Sequence, residues 1–194
     1  ILQALDHHGM LATGRRGIGF GCGREPLAAV MAKHGAELVA TDLDLDEARS
    51  KGWVDGRQHA SQLSRLNRHG ICPPSQFAAC VSYETCDMNA VPERYHGQFD
   101  FTWSACALEH LGSLRHGIDF IIASLRCLRP GGVAVHTTEF NLSSNEDTVE
   151  TPGCSLYRRR DIEALHAELT ALGYDVAPLN FNAGTEPVDR FVDV

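Results

Sequence analysis

Four glycines stand at alternate positions in one short stretch of the sequence, GRRGIGFGCGREPLAAVMAKHGAELVATDLD. They are Gly17, Gly19, Gly21 and Gly23, and they connect a short apolar run to a helix-forming segment. Because glycine carries no side chain, such a turn lets a flat, polar ligand lie close to the backbone. The N–H groups at the start of the following helix add partial positive charge at the same place. The order strand, glycine turn, helix therefore predicts a ligand site at the end of the first strand.

The rest of the chain alternates between predicted strands and predicted helices. The apolar runs predict four further strands, over 36–43, 80–87, 99–108 and 133–140. CPPSQF (72–77) is expected to be a loop, and RPGG (129–132) is expected to end a helix that begins near residue 113. Two closing strands, at 174–179 and 189–194, are expected to pair antiparallel. The pattern predicts an α/β domain with a doubly wound, mostly parallel seven-stranded sheet, an antiparallel edge strand and helices on both faces.

Length and charge narrow the class of protein. The 194 residues are enough for one domain, assigned to 1–194, and the absence of a methionine before Ile1 fits a trimmed or fragmentary chain. The net charge of −8 argues against nucleic acid as a partner. No run approaches the roughly 18 apolar residues of a membrane helix, so no membrane partner is expected. The seven cysteines form no C-x-x-C pair, which indicates reduced thiols in a cytoplasmic protein.

The glycine stretch does not match the common nucleotide-binding motifs. The dinucleotide fingerprint G-x-G-x-x-G fails in every register, because its third glycine falls on Cys22, Arg24 or Pro26. A phosphate-binding loop fails as well, because the chain contains no Gly-Lys pair. Both results argue against a nicotinamide-dependent dehydrogenase and a nucleotide triphosphatase.

A different pattern, G-x-G-x-G, fits at Gly19, Gly21 and Gly23, with Asp42 at the end of the next strand. Three further motifs follow in order: CDMNAVP, FDFTWSACALEHL and CLRPGGVAVHTT. Together these four motifs resemble the Rossmann-like (class I) S-adenosylmethionine-dependent methyltransferases over most of the chain. Each motif alone is weak evidence, but four in order at the family's spacing are specific.

The resemblance implies S-adenosyl-L-methionine as the cofactor, with the three glycines against its methionine part. Asp42 is then expected to accept hydrogen bonds from the ribose hydroxyls, and Leu43 to pack on the adenine. Asp87 is expected to accept from the adenine amino group beside the backbone of Met88. Ser104, or the alanine that follows it, is expected to line the floor of the site beside the methionine chain.

One position departs from the family pattern. The family commonly carries an acid two residues before the first of these glycines, and that acid reaches the cofactor's amino group. Gly17 occupies this place in the present chain. Glu25 is close in sequence, but it lies on the helix side of the turn and is not assigned the role. Gln58 and His59 are alternative partners for the amino group.

The candidates for catalysis follow from the chemistry. Methyl transfer from a sulfonium needs mainly alignment, but an oxygen nucleophile usually needs a base as well. His110, in ALEHL, is the candidate base or substrate contact; the alternative is a ring that only bonds a carbonyl. Glu139 and Asn141, near the end of the fifth strand with His136, are candidates for substrate binding, and Glu139 is the second predicted catalytic residue. No ligand spacing requires a metal, and none is expected.

The remaining predictions concern the substrate. The segments 53–75 and 141–157 are expected to be substrate-side insertions. The arginines of YRRRD at 157–161 either bind an anionic substrate or form a solvated turn. The predicted function is transfer of a methyl group to an oxygen or nitrogen of a small polar molecule, with a sugar as one guess. The alternatives are a non-catalytic S-adenosylmethionine-binding or scaffold protein and an NAD-dependent oxidoreductase. The oligomeric state is not predicted.

Overall fold

A computed structural model describes residues 1–50 and 63–186 of the chain. Within them, one parallel sheet is formed by β1 Arg16–Phe20, β2 Glu37–Asp42, β3 Val81–Thr85, β4 Phe99–Ala105 and β5 Leu128–Thr137. The strand order is β3-β2-β1-β4-β5, with every neighbouring pair parallel. The order reverses between β1 and β4, and doubly wound sheets bind ligands at that point, outside the carboxyl ends of the strands.

Helices cover both faces of this sheet. In the described ranges they are α1 Leu2–His7, α2 Leu27–Lys33, α3 Leu45–Ser50, α4 Pro74–Cys80, α5 Leu114–Leu125 and α6 Arg159–Ala171. One apolar cluster packs α1, α2 and α4 on one face of the sheet, and a second packs α5 and α6 on the other. None of these helices is long and apolar enough to cross a membrane.

Two of the four glycines lie inside β1 and not in the turn. Gly17 stands opposite Phe101 of β4, and Gly19 stands opposite Trp103. A Cβ atom at Gly17 would overlap the ring of Phe101, and a Cβ atom at Gly19 would overlap the ring of Trp103 and the sulfur of Cys22. Both rings are fully buried. Only glycine fits at these two positions, because aromatic rings fill the space where a side chain would lie. The turn itself begins at Gly21.

Two predicted boundaries are wrong. The RPGG stretch lies within β5 and does not end a helix, because α5 already ends at Leu125 and the backbone at Leu128 pairs with Phe99. The predicted loop at 72–77 contains the start of α4. Pro73 and Pro74 stand at that start, where a missing N–H costs no helical hydrogen bond.

The predicted antiparallel edge pair is not seen in the described residues. Residues 174–179 form no strand, and the second member, 189–194, lies outside the described residues. The fold that the structure describes is an α/β domain with five parallel strands and helices on both faces of the sheet.

Candidate cofactor and active site

A cavity of about 440 Å³ opens at the carboxyl ends of the central strands. Its walls come from the turn after β1, from the end of β2 and from the segments that follow β3 and β4. The volume falls within the range of small-molecule and cofactor sites. The cavity therefore lies at the end of the sheet where the glycine pattern predicted a ligand.

The floor of the cavity is the turn after β1. Gly21 and Gly23 line it with φ angles of +58° and +50°, the left-handed region that glycine adopts without strain. A Cβ atom on Gly21 would lie 3.0 Å from the Cβ of Ala107 and 3.1 Å from the sulfur of Met88. The turn therefore leaves a narrow slot that any side chain at Gly21 would fill.

Asp42 holds this turn from the end of β2. Its side chain is buried, with 4% exposure. The N–H of Gly23 donates to Oδ2 at 3.0 Å, and the N–H of Leu43 donates to Oδ1 at 2.8 Å. The N–H of Cys22 donates to the carbonyl of Thr41 at 3.0 Å, which fixes the turn a second time. A carboxylate oxygen has more than one acceptor position, and Asp42 lines the cavity.

The cavity also has an apolar slot, distinct from the space at Gly21, with a second acid beside it. Leu43, Met88 and Leu111 line the slot. Asp87 follows β3 and accepts the N–H of Asn89 at its Oδ1, at 2.8 Å, which caps the short 3₁₀ turn Met88–Ala90. An apolar slot with a carboxylate at its edge suits a flat aromatic base that carries an amino group.

His110 lines the cavity from the short 3₁₀ turn Leu108–His110. Its Nδ1 lies 2.8 Å from the carbonyl oxygen of Gly153. A carbonyl only accepts, so Nδ1 carries the proton, and in the neutral ring the lone pair is on Nε2. The loop that contains Gly153 therefore orients the ring of the candidate base.

Glu109, next to His110, is buried in the wall behind it. The hydroxyl of Thr138 donates to its Oε2 at 3.0 Å, and its carbonyl accepts the N–H of Ser155 at 2.9 Å. Its exposure is 1%, and burial raises the pKa of its carboxyl. The contacts are those of a structural residue that attaches the 141–157 loop to the wall of the site.

Ser104 and His136 are not brought to the cavity. Ser104 is fully buried, and its hydroxyl lies 2.8 Å from Nδ1 of His136. The hydroxyl of Ser124 in α5 lies 3.0 Å from Nε2 of the same ring. Burial lowers the pKa of His136 to about 4, so the ring is neutral at physiological pH. Ala105, the alternative to Ser104, does line the cavity, because successive residues of a strand point to opposite faces.

Glu139 is also absent from the cavity lining. It is exposed beyond the end of β5, and its carbonyl accepts the N–H of Tyr157 at 3.3 Å. Asn141 makes its side-chain contacts within the loop, donating to the carbonyl of Asp147 at 2.9 Å and accepting from the N–H of Ser143 at 2.9 Å. Neither side chain lines the cavity that His110 faces.

The three arginines of YRRRD pair with nearby acids at the start of α6. Arg158 binds Asp161 at 2.7 Å, Arg159 binds Glu163 at 2.8 Å and Arg160 binds Glu146 at 2.6 Å. This arrangement matches the solvated turn at the start of a helix and not an anion site.

Sequence reasoning did not assign several residues that line the cavity, and two of them carry chemistry. Cys106 directly follows β4 with φ +46°, and its N–H donates to the hydroxyl of Thr137 at 3.2 Å. Glu25 is the second, and burial raises the pKa of its carboxyl to about 7. The signal for Glu25 was its place directly after the glycine turn, whereas nothing in the sequence indicates a left-handed cysteine.

Two further predictions concern the cofactor's amino group and a metal. Gln58 and His59 lie outside the described residues. Among residues 1–50 and 63–186, no group of three histidine, cysteine, aspartate or glutamate side chains is placed to share a metal ion.

Comparisons with known proteins identify the family. The model of a family described as a methyltransferase domain matches residues 3–178. No curated protein sequence matches the chain significantly. Among solved structures, the DhpI–SAH complex is 17% identical, with a TM-score of 0.55, and the match covers 88% of this chain and 72% of that one.

Two further structures show how widely the fold is shared. The glycopeptide N-methyltransferase MtfA complexed with sinefungin is 12% identical, with a TM-score of 0.53, and the match covers 76% of this chain and 56% of that one. A putative zinc-dependent alcohol dehydrogenase from Rhodobacter sphaeroides is also 12% identical, with a TM-score of 0.57 and coverage of 84% and 76%. At these identities, the likeness shows the fold alone.

The chain spans 43% and 53% of the lengths of two other solved structures that it matches. The fold is common to methyltransferases and dehydrogenases, but the family model covers most of the chain and distinguishes between them. The chain belongs to the methyltransferase-domain family, within the Rossmann-like class I group of S-adenosylmethionine-dependent methyltransferases.

Proposed function

We propose that this chain binds S-adenosyl-L-methionine in the cavity at the carboxyl ends of β1, β2 and β4 and transfers its methyl group to an oxygen or nitrogen of a small polar molecule. One observation carries the proposal: a left-handed glycine turn, a buried Asp42 and an oriented His110 line the same cavity. The bound cofactor supplies an electrophilic methyl group on a sulfonium. The protein's own residues align the acceptor with this methyl group, exclude water from the site and remove a proton from the acceptor.

The residues that hold the cofactor occupy distinct walls in this proposal. Asp42 accepts hydrogen bonds from the ribose hydroxyls at the cavity wall. The apolar slot with Asp87 at its edge takes the adenine. Gly21 lies below the methionine chain, where any side chain would fill the narrow space that the turn leaves.

His110 acts as the base toward the acceptor. The carbonyl of Gly153 fixes the proton on Nδ1, so Nε2 is the nitrogen that removes a proton from the attacking group. We assign Glu139 no role at the reacting atoms, because its side chain does not line the cavity.

Several broader features belong to the same proposal. Residues 1–194 form one methyltransferase domain, with 53–75 and 141–157 as insertions on the substrate side. The polar 141–157 loop, attached to the site through Gly153 and Ser155, favours a polar acceptor such as a sugar.

All seven cysteines are free in the structure, which supports a reducing, cytoplasmic location. A net charge of −8 supports an acceptor other than nucleic acid.

Calorimetric titration with S-adenosylhomocysteine (SAH) and, separately, with NAD tests the cofactor. We expect binding of SAH alone. Preference for NAD, or no binding of either ligand, would refute the proposal. Incubation with S-adenosylmethionine and panels of sugars, amines and phenols, read by the 14-dalton mass gain of a methylated product, then tests the acceptor class.

The variant His110→Gln tests the base once an acceptor is found. We expect kcat to fall about a hundredfold to ten-thousandfold for an oxygen acceptor, with the Kd for SAH unchanged. His116→Gln is the matched control, because His116 is a nearby exposed histidine that does not line the cavity. An unchanged kcat in His110→Gln would remove the base from the proposal and leave the cofactor site intact.

A non-catalytic S-adenosylmethionine-binding protein is the second candidate function. The observation that favours it is Gly17, at the position where the family pattern commonly has an acid. It predicts binding of SAH with no methylated product from any acceptor class.

A further inference from the structure

The cavity contains no acid supplied by β1 near the glycine turn. Gly17 and Gly19 are the β1 positions that precede the turn, and a Cβ atom at either would overlap an aromatic ring of β4. No side chain fits at these positions while Phe101 and Trp103 remain buried beside them. If the site takes an amino-acid chain, the acid for its ammonium group must come from another element.

Glu25 lines the cavity from the other end of the turn, between Gly23 and the start of α2. Within the described residues, its carboxylate takes part in no ion pair or hydrogen bond. Burial raises the pKa of this carboxyl to about 7, because it removes water from around the charged form. An acid of this kind would be stabilised by a cation that enters the cavity.

The surroundings of Glu25 favour a zwitterion over a simple cation. The guanidinium-bearing residues Arg24 and Arg68 line the same cavity. Glu25 also lies close enough to influence the thiol of Cys106, which directly follows β4 across the turn. An α-amino acid carries an ammonium and a carboxylate two bonds apart, and this lining places Glu25, beside the acids Asp42 and Asp87, in one cavity with two cationic side chains.

We propose that Glu25 accepts the hydrogen bonds of the α-ammonium of the bound cofactor, in the role that Gly17 and Gly19 cannot fill. The inference rests on the proposed function, because it assumes that the amino-acid part of S-adenosylmethionine lies over the turn. It makes Glu25 a binding residue for the cofactor and gives it no part in deprotonating the acceptor.

Titration of SAH and of the SAH analogue that lacks the α-amino group, against the wild type and Glu25→Gln, tests the proposal. In the wild type, removal of the amino group should weaken binding about tenfold to a hundredfold, the range of a charge-assisted hydrogen bond. In Glu25→Gln, SAH should bind with about the affinity of the analogue, and the two ligands should differ little. Glu37→Gln, at an exposed acid at the start of β2, should behave as the wild type.

The outcomes separate this inference from the proposed function. If the wild type binds SAH and the analogue equally well, the assignment of Glu25 is wrong and the cofactor site stands. If Glu25→Gln weakens both ligands by the same factor, Glu25 shapes the turn and does not bind the amine. If the wild type binds neither ligand, the proposed function fails and the inference fails with it.

Thermal unfolding of the free protein gives an independent readout. Glu25→Gln removes a partly buried, uncompensated charge, so the melting temperature of the free protein at pH 8 should rise above that of the wild type. A variant that is more stable when free and binds SAH more weakly matches a binding role. A lower melting temperature would indicate a structural role and would contradict the proposal.

Discussion

Gly17 and Gly19 differ from Gly21 and Gly23 although all four belong to one alternating run. The first pair lies in β1 under the buried rings of Phe101 and Trp103. The second pair lies in a left-handed turn against the cavity. The absent side chain therefore makes room for the protein's own core in the first pair and for a ligand in the second. Substitutions in the two pairs should affect different properties, namely stability and binding.

The largest effect should come from the core pair. Gly19→Ala would place a methyl group in the ring of Trp103 and the sulfur of Cys22, so we expect a loss of about 3 kcal/mol in the free energy of unfolding. Urea denaturation followed by circular dichroism measures the loss. Gly153→Ala is the control, because no atom lies within 4 Å of a Cβ atom there and the change should stay within about 0.5 kcal/mol. Equal stability of the two variants would contradict the division into two pairs.

The next largest effect concerns the acid that holds the turn. Asp42→Ala removes the acceptor for the N–H groups of Gly23 and Leu43 together with the proposed ribose contacts. We expect the Kd for SAH to rise about a hundredfold or more, since charged hydrogen bonds are worth about 1.5–3 kcal/mol each. Calorimetric titration measures it. Asp44→Ala, two residues away at an exposed acid, should leave the Kd unchanged. A similar loss of affinity in Asp44→Ala would show that the effect of Asp42→Ala does not come from its contacts at the cavity.

A smaller effect is expected at Gly21. Gly21→Ala requires a left-handed alanine, at a cost of about 1–2 kcal/mol, and places a methyl group 3.1 Å from the sulfur of Met88. We expect about a tenfold weaker Kd for SAH with most of the stability retained. Calorimetric titration measures the Kd for SAH, and urea denaturation measures the stability of the same variant. A variant as unstable as Gly19→Ala, with SAH binding unaffected in the folded fraction, would show that Gly21 also serves the core.

The smallest effect extends the comparison to two histidines, His110 at the cavity and His136 in the packing between β4, β5 and α5. Burial lowers the pKa of His136 from 6.5 to about 4, so the unfolded chain takes up this proton first. The stability contributed by its neutral ring is complete above pH 6.5 and is lost as the pH falls towards 4.

His136→Gln should therefore show a shallower loss of melting temperature between pH 6.5 and pH 4 than the wild type. The amide can still donate to and accept from the hydroxyls of Ser104 and Ser124 but does not titrate. His34→Gln, at an exposed histidine of the first half of the chain, is the control and should follow the wild type. Parallel curves for His136→Gln and the wild type would contradict the buried, neutral assignment.

Much of the fold was predictable because local patterns and tertiary structure agree. The runs that became β1, β2 and β4 are mostly apolar and buried, and the α6 pattern carries helical spacing. The prediction was wrong where one residue type has two uses. Proline and glycine in RPGG indicate a turn, but this stretch lies inside β5, at the register shift between the Phe99–Leu128 and Phe101–Val133 pairs. Two prolines at 73 and 74 indicate a loop, but they begin a helix.

The site was predictable to a similar extent. The turn glycines and the acids Asp42 and Asp87 reach the cavity because each lies at or just beyond the end of a strand, and the carboxyl ends of parallel strands meet at one edge of the sheet. Ser104 and Glu139 stand at comparable sequence positions but do not line the cavity. The difference between Ser104 and Ala105 is the pleat of a single strand, whose phase the pattern did not specify.

The sequence by itself determined the family, the alternation of strands and helices and the edge of the sheet that carries the ligand site. These depend on residue type and spacing along the chain, which are local properties. Only the tertiary structure decided which glycines face the core and which face the cavity, and that Glu25 lines the cavity while Glu139 does not. The first depends on the rings of Phe101 and Trp103, which stand opposite Gly17 and Gly19 although they lie in β4, far along the chain. The second depends on how each acid is directed once the strands have come together in the sheet.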